Sequence, residues 1–247
     1  MVEARRRHIW GGLGVAVVVA GAAGAVVYPN LPYGVQHPFS ETAQAADGTT
    51  IHPREGKVAA SEDGRKYAPD PVASYRHATC DLSPKNETKP EASSWQIPSH
   101  DLTAPLDPTP ATDPTISLPD APAGISYTPG AGLTDETGVV LDAGHVDYPA
   151  GVKSRGGGEL SAFGHLHEIP ACTHIYQSDQ AGQTREFVVT DLYTVKQSEL
   201  PSEDIWRKDG AKSLVMITCS GKSVDEVGNS LGFDYSHNLV VNAVPVS

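Results

Sequence analysis

The sequence predicts an all-β domain, a barrel or a sandwich, carried outside a membrane on an N-terminal anchor and a flexible, proline-rich stalk. Three observations predict it. Five segments in the second half of the chain are short, β-branched and separated by turn formers. No stretch among them sustains the 3.6-residue period of an amphipathic helix. Near the start, an uncharged span follows a cluster of basic residues.

The elements follow in chain order. Arg5, Arg6, Arg7 and His8 precede an uncharged run from Ile9 to Tyr28, about the twenty residues a helix needs to cross a hydrocarbon core. The basic flank keeps the start cytoplasmic and sends the rest outward. "AGAAGA" at 20–25 offers the small residues of a signal-peptide cleavage site. The apolar run is longer than the usual signal-peptide core, which favours an uncleaved anchor over 1–28 and a single-pass membrane location with the bulk of the chain extracellular.

Residues 29–92 read as an extended, mobile linker, rich in proline, charge and turn formers, with "NET" at 86–88 matching a glycosylation acceptor. The remaining 93–247 form the candidate folded domain. Its first part alternates short apolar pieces with Pro and Gly, and "PLDPTPATDPTISLPDAPAG" (105–124) admits only edge strands and turns. Strands are expected over 137–146, 172–179, 184–196, 213–219 and 236–246. One short helix is expected within 197–210, capped by Ser198 or Ser202.

Composition removes some function classes. A formal net charge of -12 repels phosphates, so neither nucleic acid nor an anionic lipid surface suits the soluble part as its main partner. "GGG" at 156–158 lacks the lysine and hydroxyl of a phosphate loop. His165, His167 and His174 invite comparison with a zinc site, but no closed ligand spacing completes one, and polar surface is the favoured reading. No cofactor and no metal is expected.

The stretch "LVMITCSG" (214–221) asks for more. A cysteine after four apolar residues is ordinarily core, yet Ser220 and Gly221 suggest that the strand stops there, which would bring the sulfur of Cys219 to a rim. Three cysteines is an odd count in an exported chain. One arrangement pairs Cys80 with Cys172 and leaves Cys219, although the sequence alone does not select it. A thiol needs a base or a cation beside it to act as a nucleophile at neutral pH. His145 is the best-placed histidine, because "VVLDAGHVDY" repeats the design: an apolar strand stops at small residues and then presents one titratable side chain. Asp142 and Asp147 flank it, either to orient the ring or as solvated turn carboxylates.

"LDAGHVDY", "FGHLHEIP", "LVMITCSG" and "NLVVNA", in this order and over about residues 94–247, resemble the sortase family, most closely its class F group from actinobacteria. The resemblance implies a membrane-anchored cysteine transpeptidase on an eight-stranded β-barrel with short helices. It makes Cys219 the residue that forms a thioester with a sorting-signal peptide of the LPXTG kind, and His145 its acid and base. Thr218 would line the substrate groove. The partners implied are the sorting signal of secreted proteins and an amine acceptor, from a peptidoglycan precursor or a protein. Where such sequences read Tyr-Arg-Asp-Asn, this chain reads "YSHN", so Ser236 stands in the arginine's position and His237 follows. Removing an oxyanion donor costs about a hundredfold to a thousandfold in rate. Either His237 substitutes, or Arg155 or Arg207 reaches in, or the chain is a weak or inactive barrel that binds peptide or wall material. An L,D-transpeptidase fits less well, since its Ser-His-Gly-Cys pattern is absent around "ITCSG".

Overall fold

The computed structural model describes residues 43–44, 50–54, 57–61, 66–109, 118–128, 132–148, 160–200, 203, 205, 207–223 and 235–247. The expected anchor over 1–28 lies outside these residues, and no helix among those described is long and apolar enough to cross a membrane. The described residues form twelve strands: β1 (Ala43–Gln44), β2 (Thr50–Arg54), β3 (Lys57–Ser61), β4 (Lys66–Ala68), β5 (Ser94–Ile97), β6 (Leu102–Thr109), β7 (Gly124–Tyr127), β8 (Val139–Gly144), β9 (His174–Ser178), β10 (Thr184–Lys196), β11 (Ser213–Ser223) and β12 (Tyr235–Pro245). Eight of them close a barrel in the order β11-β12-β10-β9-β5-β6-β7-β8, sealed by a parallel pairing of β8 with β11. The four short strands β1–β4 extend the sheet from the exposed side of β11.

The five expected strands are β8 to β12, each within a few residues of the expected limits. The proline-rich stretch behaves differently from its expectation. β6 carries Pro105 and Pro108 yet lies between β5 and β7. The register explains this: residues 102–105 pair only with β5, whereas residues 106–109 pair only with β7. Each half of β6 therefore has one strand neighbour, and the missing N–H of a proline can face the open side. Within 197–210, where one short helix was expected, the described residues make turns closed by Glu199 N–H to Lys196 O and Glu203 N–H to Leu200 O, with Leu200 in 3-10 conformation; Ser202 lies outside the described residues. Among the described residues, short 3-10 helices lie at Pro98–His100 and Gly164–Glu168.

Alternation along the strands divides the apolar residues between two layers. Trp95, Ile97, Leu106, Val140, Ile175, Phe187, Leu214, Met216 and Val241 belong to a cluster drawn from every barrel strand except β7, and this fills the barrel. Val139, Leu141, Ala143, Val215, Ile217, Cys219 and Val240 form a second cluster on the outer face of β8, β11 and β12, covered by Ala68, Leu160, Leu200 and Ile205. The interior is tightest around Phe163, whose ring meets Trp95 edge-on at 5.2 Å between centroids. Gly124 and Gly144, directly paired on β7 and β8, make room for that ring, since a Cβ on either would lie within 2.6 Å of it.

Part of the segment expected to be a mobile linker is fastened to the barrel. A disulfide joins Cys80 to Cys172. Tyr75 pairs with Leu192, Ala78 N–H donates to Thr190 O, and the Glu186 carboxylate accepts from the backbone N–H groups of Lys85 and Asn86. These contacts satisfy backbone groups that an irregular segment would otherwise leave to water.

Candidate active site

Cys219, within β11 rather than at the expected strand end because β11 continues through Ser220 and Gly221 to Ser223, is brought to the same level as His145, just past the end of β8. β8 and β11 pair in parallel from Val139 with Ser213 to Ala143 with Ile217. Two further residues along each strand are His145 and Cys219, so the two reach the same level by continuing one register. Alternation carries Cys219 onto the outer face, where it joins Val215 and Ile217 in the outer cluster and is 3 % exposed. His145 follows the last residue of β8 and is half-buried. Its backbone is pinned from the next segment: Ser161 donates its hydroxyl to His145 O at 2.5 Å and its N–H to Val146 O at 2.9 Å.

Thr218 has a different role from the groove-lining one that the resemblance implied. It is buried, on the interior face, and its hydroxyl donates to Gly144 O at 2.9 Å. That bond clasps β11 to β8 one step before Cys219 and His145, so Thr218 holds the two strand ends in register. Ser236, in the arginine's position, receives the Lys222 N–H at 3.1 Å and lies 2.9 Å from His237 Nδ1. His237 is paired across the ladder with Ser220, and so projects from the sheet face opposite to that of Cys219. Arg207 cannot supply the missing cation. Its guanidinium donates to Asp209 O and to the Ser213 hydroxyl, at the start of β11, about 20 Å along the strand from Cys219. Arg155 lies outside the described residues.

The end of the former linker crosses this rim. β4 pairs Ala68 with Gly221 and Tyr67 with Lys222, and the Ser220 hydroxyl lies 3.2 Å from both Pro69 O and an Asp70 carboxylate oxygen. Gly221, with φ of +76°, turns the strand here; a Cβ would meet the Ser236 hydroxyl and His237 ring. Ala68 is fully buried within the same cluster as Cys219. Sequence reasoning missed this cover, because nothing in "KYAPDPV" has the length or alternation of a barrel strand.

The other candidates disperse. His165 and His167 lie on a 3-10 turn rather than a strand, His165 beside Glu168 at 3.2 Å and His167 buried with Nδ1 2.7 Å from Gly164 O. His174 pairs instead with Glu186 at 2.6 Å. No group of residues able to hold a metal ion occurs among the described residues.

Asp142 is neither a partner of His145 nor a solvated turn residue. It points into the barrel on the same side of β8 as Val140, is fully buried, and accepts from Gln177 Nε2 at 3.0 Å. Burial pushes its carboxyl up to about 7, against hydrogen bonds from Ser126 and Gln177 that pull it down. Its Oδ2 and the Gln177 Oε1 are buried acceptors lacking a donor, and a proton on Oδ2 turns one of them into a donor. The folded protein therefore retains a proton that the unfolded chain has released by about pH 4. Stability is highest below that pH and falls as the pH rises through 7. Asp142→Asn supplies a permanent donor, so the variant gains on the native protein between pH 4 and 8 by roughly 4 kcal/mol. Chemical denaturation at the two pH values checks this, and an equal pH dependence in both proteins would refute a protonated Asp142.

A sortase domain model matches residues 96–246, well over half of the chain. No curated protein sequence matches it. Solved structures with a similar fold include sortase C-1 from Actinomyces oris (20 % identity, 62 % of this chain and 72 % of that chain covered, TM-score 0.41). Sortase C1 from Streptococcus suis is 14 % identical, with 63 % of this chain and 73 % of that chain covered and a TM-score of 0.43. A lid mutant of sortase A from Corynebacterium diphtheriae is 17 % identical, with 71 % and 86 % covered and a TM-score of 0.43. An eight-stranded barrel closed by its cysteine-bearing strand, together with a domain match spanning β5 to β12, leads to one conclusion: this chain belongs to the sortase family of cysteine transpeptidases.

Proposed function

We propose that this chain is a cell-surface sortase, most like class F, which cleaves an LPXTG-type sorting signal through Cys219 and transfers the acyl group to an amine of the cell wall or of a protein. The parallel register of β8 and β11, which carries His145 and Cys219 out at one level, is the observation that supports it. In this reading the Cys219 thiolate attacks the peptide carbonyl and forms a C–S bond. The tetrahedral oxyanion collapses, the C–N bond breaks, and His145 gives its proton to the departing amine. The acceptor amine then loses a proton to His145 and attacks the thioester, and the sulfur leaves as thiolate. The anchor and the extracellular location belong to this proposal as well. Without an arginine at position 236, oxyanion stabilisation is weaker and turnover slow for the family.

A second reading, a barrel that binds peptide without turnover, draws support from Ser236 and from the 3 % exposure of Cys219. Intact-mass spectrometry after incubation with an LPXTG peptide separates the two. A covalent acyl adduct, absent from Cys219→Ala, is expected. If Cys219 reacts with a methanethiosulfonate reagent but acquires no acyl group from any sorting-signal peptide, the binding reading replaces the catalytic one.

A further inference from the structure

The chain ahead of the barrel and the segment between β10 and β11 both cover the apolar surroundings of Cys219, and one cation joins them. Ala68 arrives from the first, Leu200 and Ile205 from the second, and all three are buried in the cluster that contains Cys219. The bridge between Tyr75 and Leu192 brings Arg76 against β10. Its guanidinium carbon lies 3.7 Å from the centroid of the Tyr193 ring, and its Nη2 donates to Glu203 Oε2 at 3.2 Å. The Tyr193 hydroxyl donates to that same oxygen at 2.8 Å. Glu203 stands between Leu200 and Ile205 in sequence, and its N–H closes a turn on Leu200 O at 3.1 Å. Burial, and then the bond to Glu203, raise the Tyr193 hydroxyl above its ordinary range, so it keeps its proton and remains a donor at neutral pH.

We propose that Arg76 is a positioning residue for the wall beside Cys219: stacked on Tyr193 and bonded to Glu203, it fixes Leu200 and Ile205 in place and sets how closely a peptide's apolar residues fit there. An exposed ion pair by itself stabilises little, and the Arg76 side chain is 52 % exposed. Two features raise this one above that level. A guanidinium over an aromatic ring is attracted to it in its own right. One carboxylate oxygen shared by Arg76 and Tyr193 leaves Glu203 a narrow set of positions that satisfies both. Tyr193 pairs with Val240 on β12 and packs against the cluster that holds Cys219, so the clamp rests on a strand of the barrel. Lysine at position 76 would keep the charge and lose the planar stack. That the wall receives a sorting peptide rests on the function proposed above, whereas the hold of Arg76 on the wall does not.

Cys80 and Cys172 are bridged, so alkylation of the full chain reports on Cys219. Cys219 is 3 % exposed, and its iodoacetamide rate at fixed pH therefore measures how often the wall opens. In Arg76→Ala that rate rises about threefold to tenfold, with a melting temperature within about 3 °C of native. Arg76→Lys falls between the two. In a Glu203→Ala background the same Arg76→Ala change accelerates alkylation by less than about twofold, because Arg76 then has nothing on the wall to hold. With an LPXTG peptide, Arg76→Ala raises KM by about threefold to tenfold and leaves kcat within about twofold. A native alkylation rate in Arg76→Ala, an equal acceleration with and without Glu203, an acceleration that merely follows a larger fall in melting temperature, or a lowered kcat at unchanged KM would overturn the assignment. Should the native chain cleave no sorting peptide, the transpeptidase reading fails, and the alkylation rates still decide the role of Arg76.

Discussion

Replacing His145 by alanine lowers acyl transfer from an LPXTG peptide to an amine by about a hundredfold to ten-thousandfold, the span usual for loss of a general acid and base. The variant should fold as the native protein does. What the surrounding structure takes from this residue is its backbone, through the Ser161 hydroxyl on His145 O, and alanine keeps that bond. Both stages suffer, because the departing amine needs a proton and the incoming amine must lose one. Single-turnover kinetics separates them: adduct formation and adduct resolution both slow. A decrease of less than tenfold, with Cys219→Ala still inactive, would take His145 out of the chemistry and direct attention to another base along the rim.

The largest stability effect is expected from the disulfide. Cys80 and Cys172 are 92 residues apart in sequence, and closing a loop of that length removes about 4–5 kcal/mol of conformational freedom from the unfolded chain. Replacing both cysteines by alanine should lower the melting temperature by about 10 °C or more. The substitution also loosens the segment between Ala68 and Asn86, which is otherwise held by hydrogen bonds, among them two with Leu192, one to Thr190, two to Glu186, and those of Val72, Arg76 and His77 to His167, Glu203 and Asp191. Thermal unfolding under oxidising conditions measures the first effect. Proteolysis near residues 76–92, earlier in the variant than in the native chain, measures the second. A melting temperature within about 3 °C of native would mean that the unfolded chain gains little freedom when the bridge is lost.

The parts of this fold that sequence periodicity revealed are those where two layers of apolar residues alternate. β8 to β12 are buried on both faces, and continuous β-branched runs such as "EFVVTDLYTV" admit few other conformations. The end of β8 at Gly144, just before His145, was legible because a strand that stops at Gly marks where a side chain can leave the core, whereas Ser220-Gly221 misled: β11 continues through both to Ser223, and Cys219 lies within the strand, buried in the outer cluster. β5 to β7 were hidden because their pairing is staggered, and local rules read Pro105 and Pro108 as excluding an interior strand when each half of β6 has only one neighbour. Asp142 was misread because a lone carboxylate in "VVLDAG" gives no hint that Gln177 and Ser126 wait across the barrel. Arg76 was read as part of a mobile linker, because a single charge in "ASYRHATC" gives no hint that Tyr193 and Glu203, distant in sequence, receive it.

The route by which the chain enters the barrel has a mechanical consequence. Tension applied just ahead of β4 loads its two residue pairs on β11, then the Ser220 contacts, then the backbone bonds of Val72, Tyr75 and Ala78. These fastenings unzip one at a time, and the covalent bridge at Cys80 arrests the process before the closed ring of strands bears any force. The cover over Cys219 is thus the first part to yield to a pull and the barrel the last.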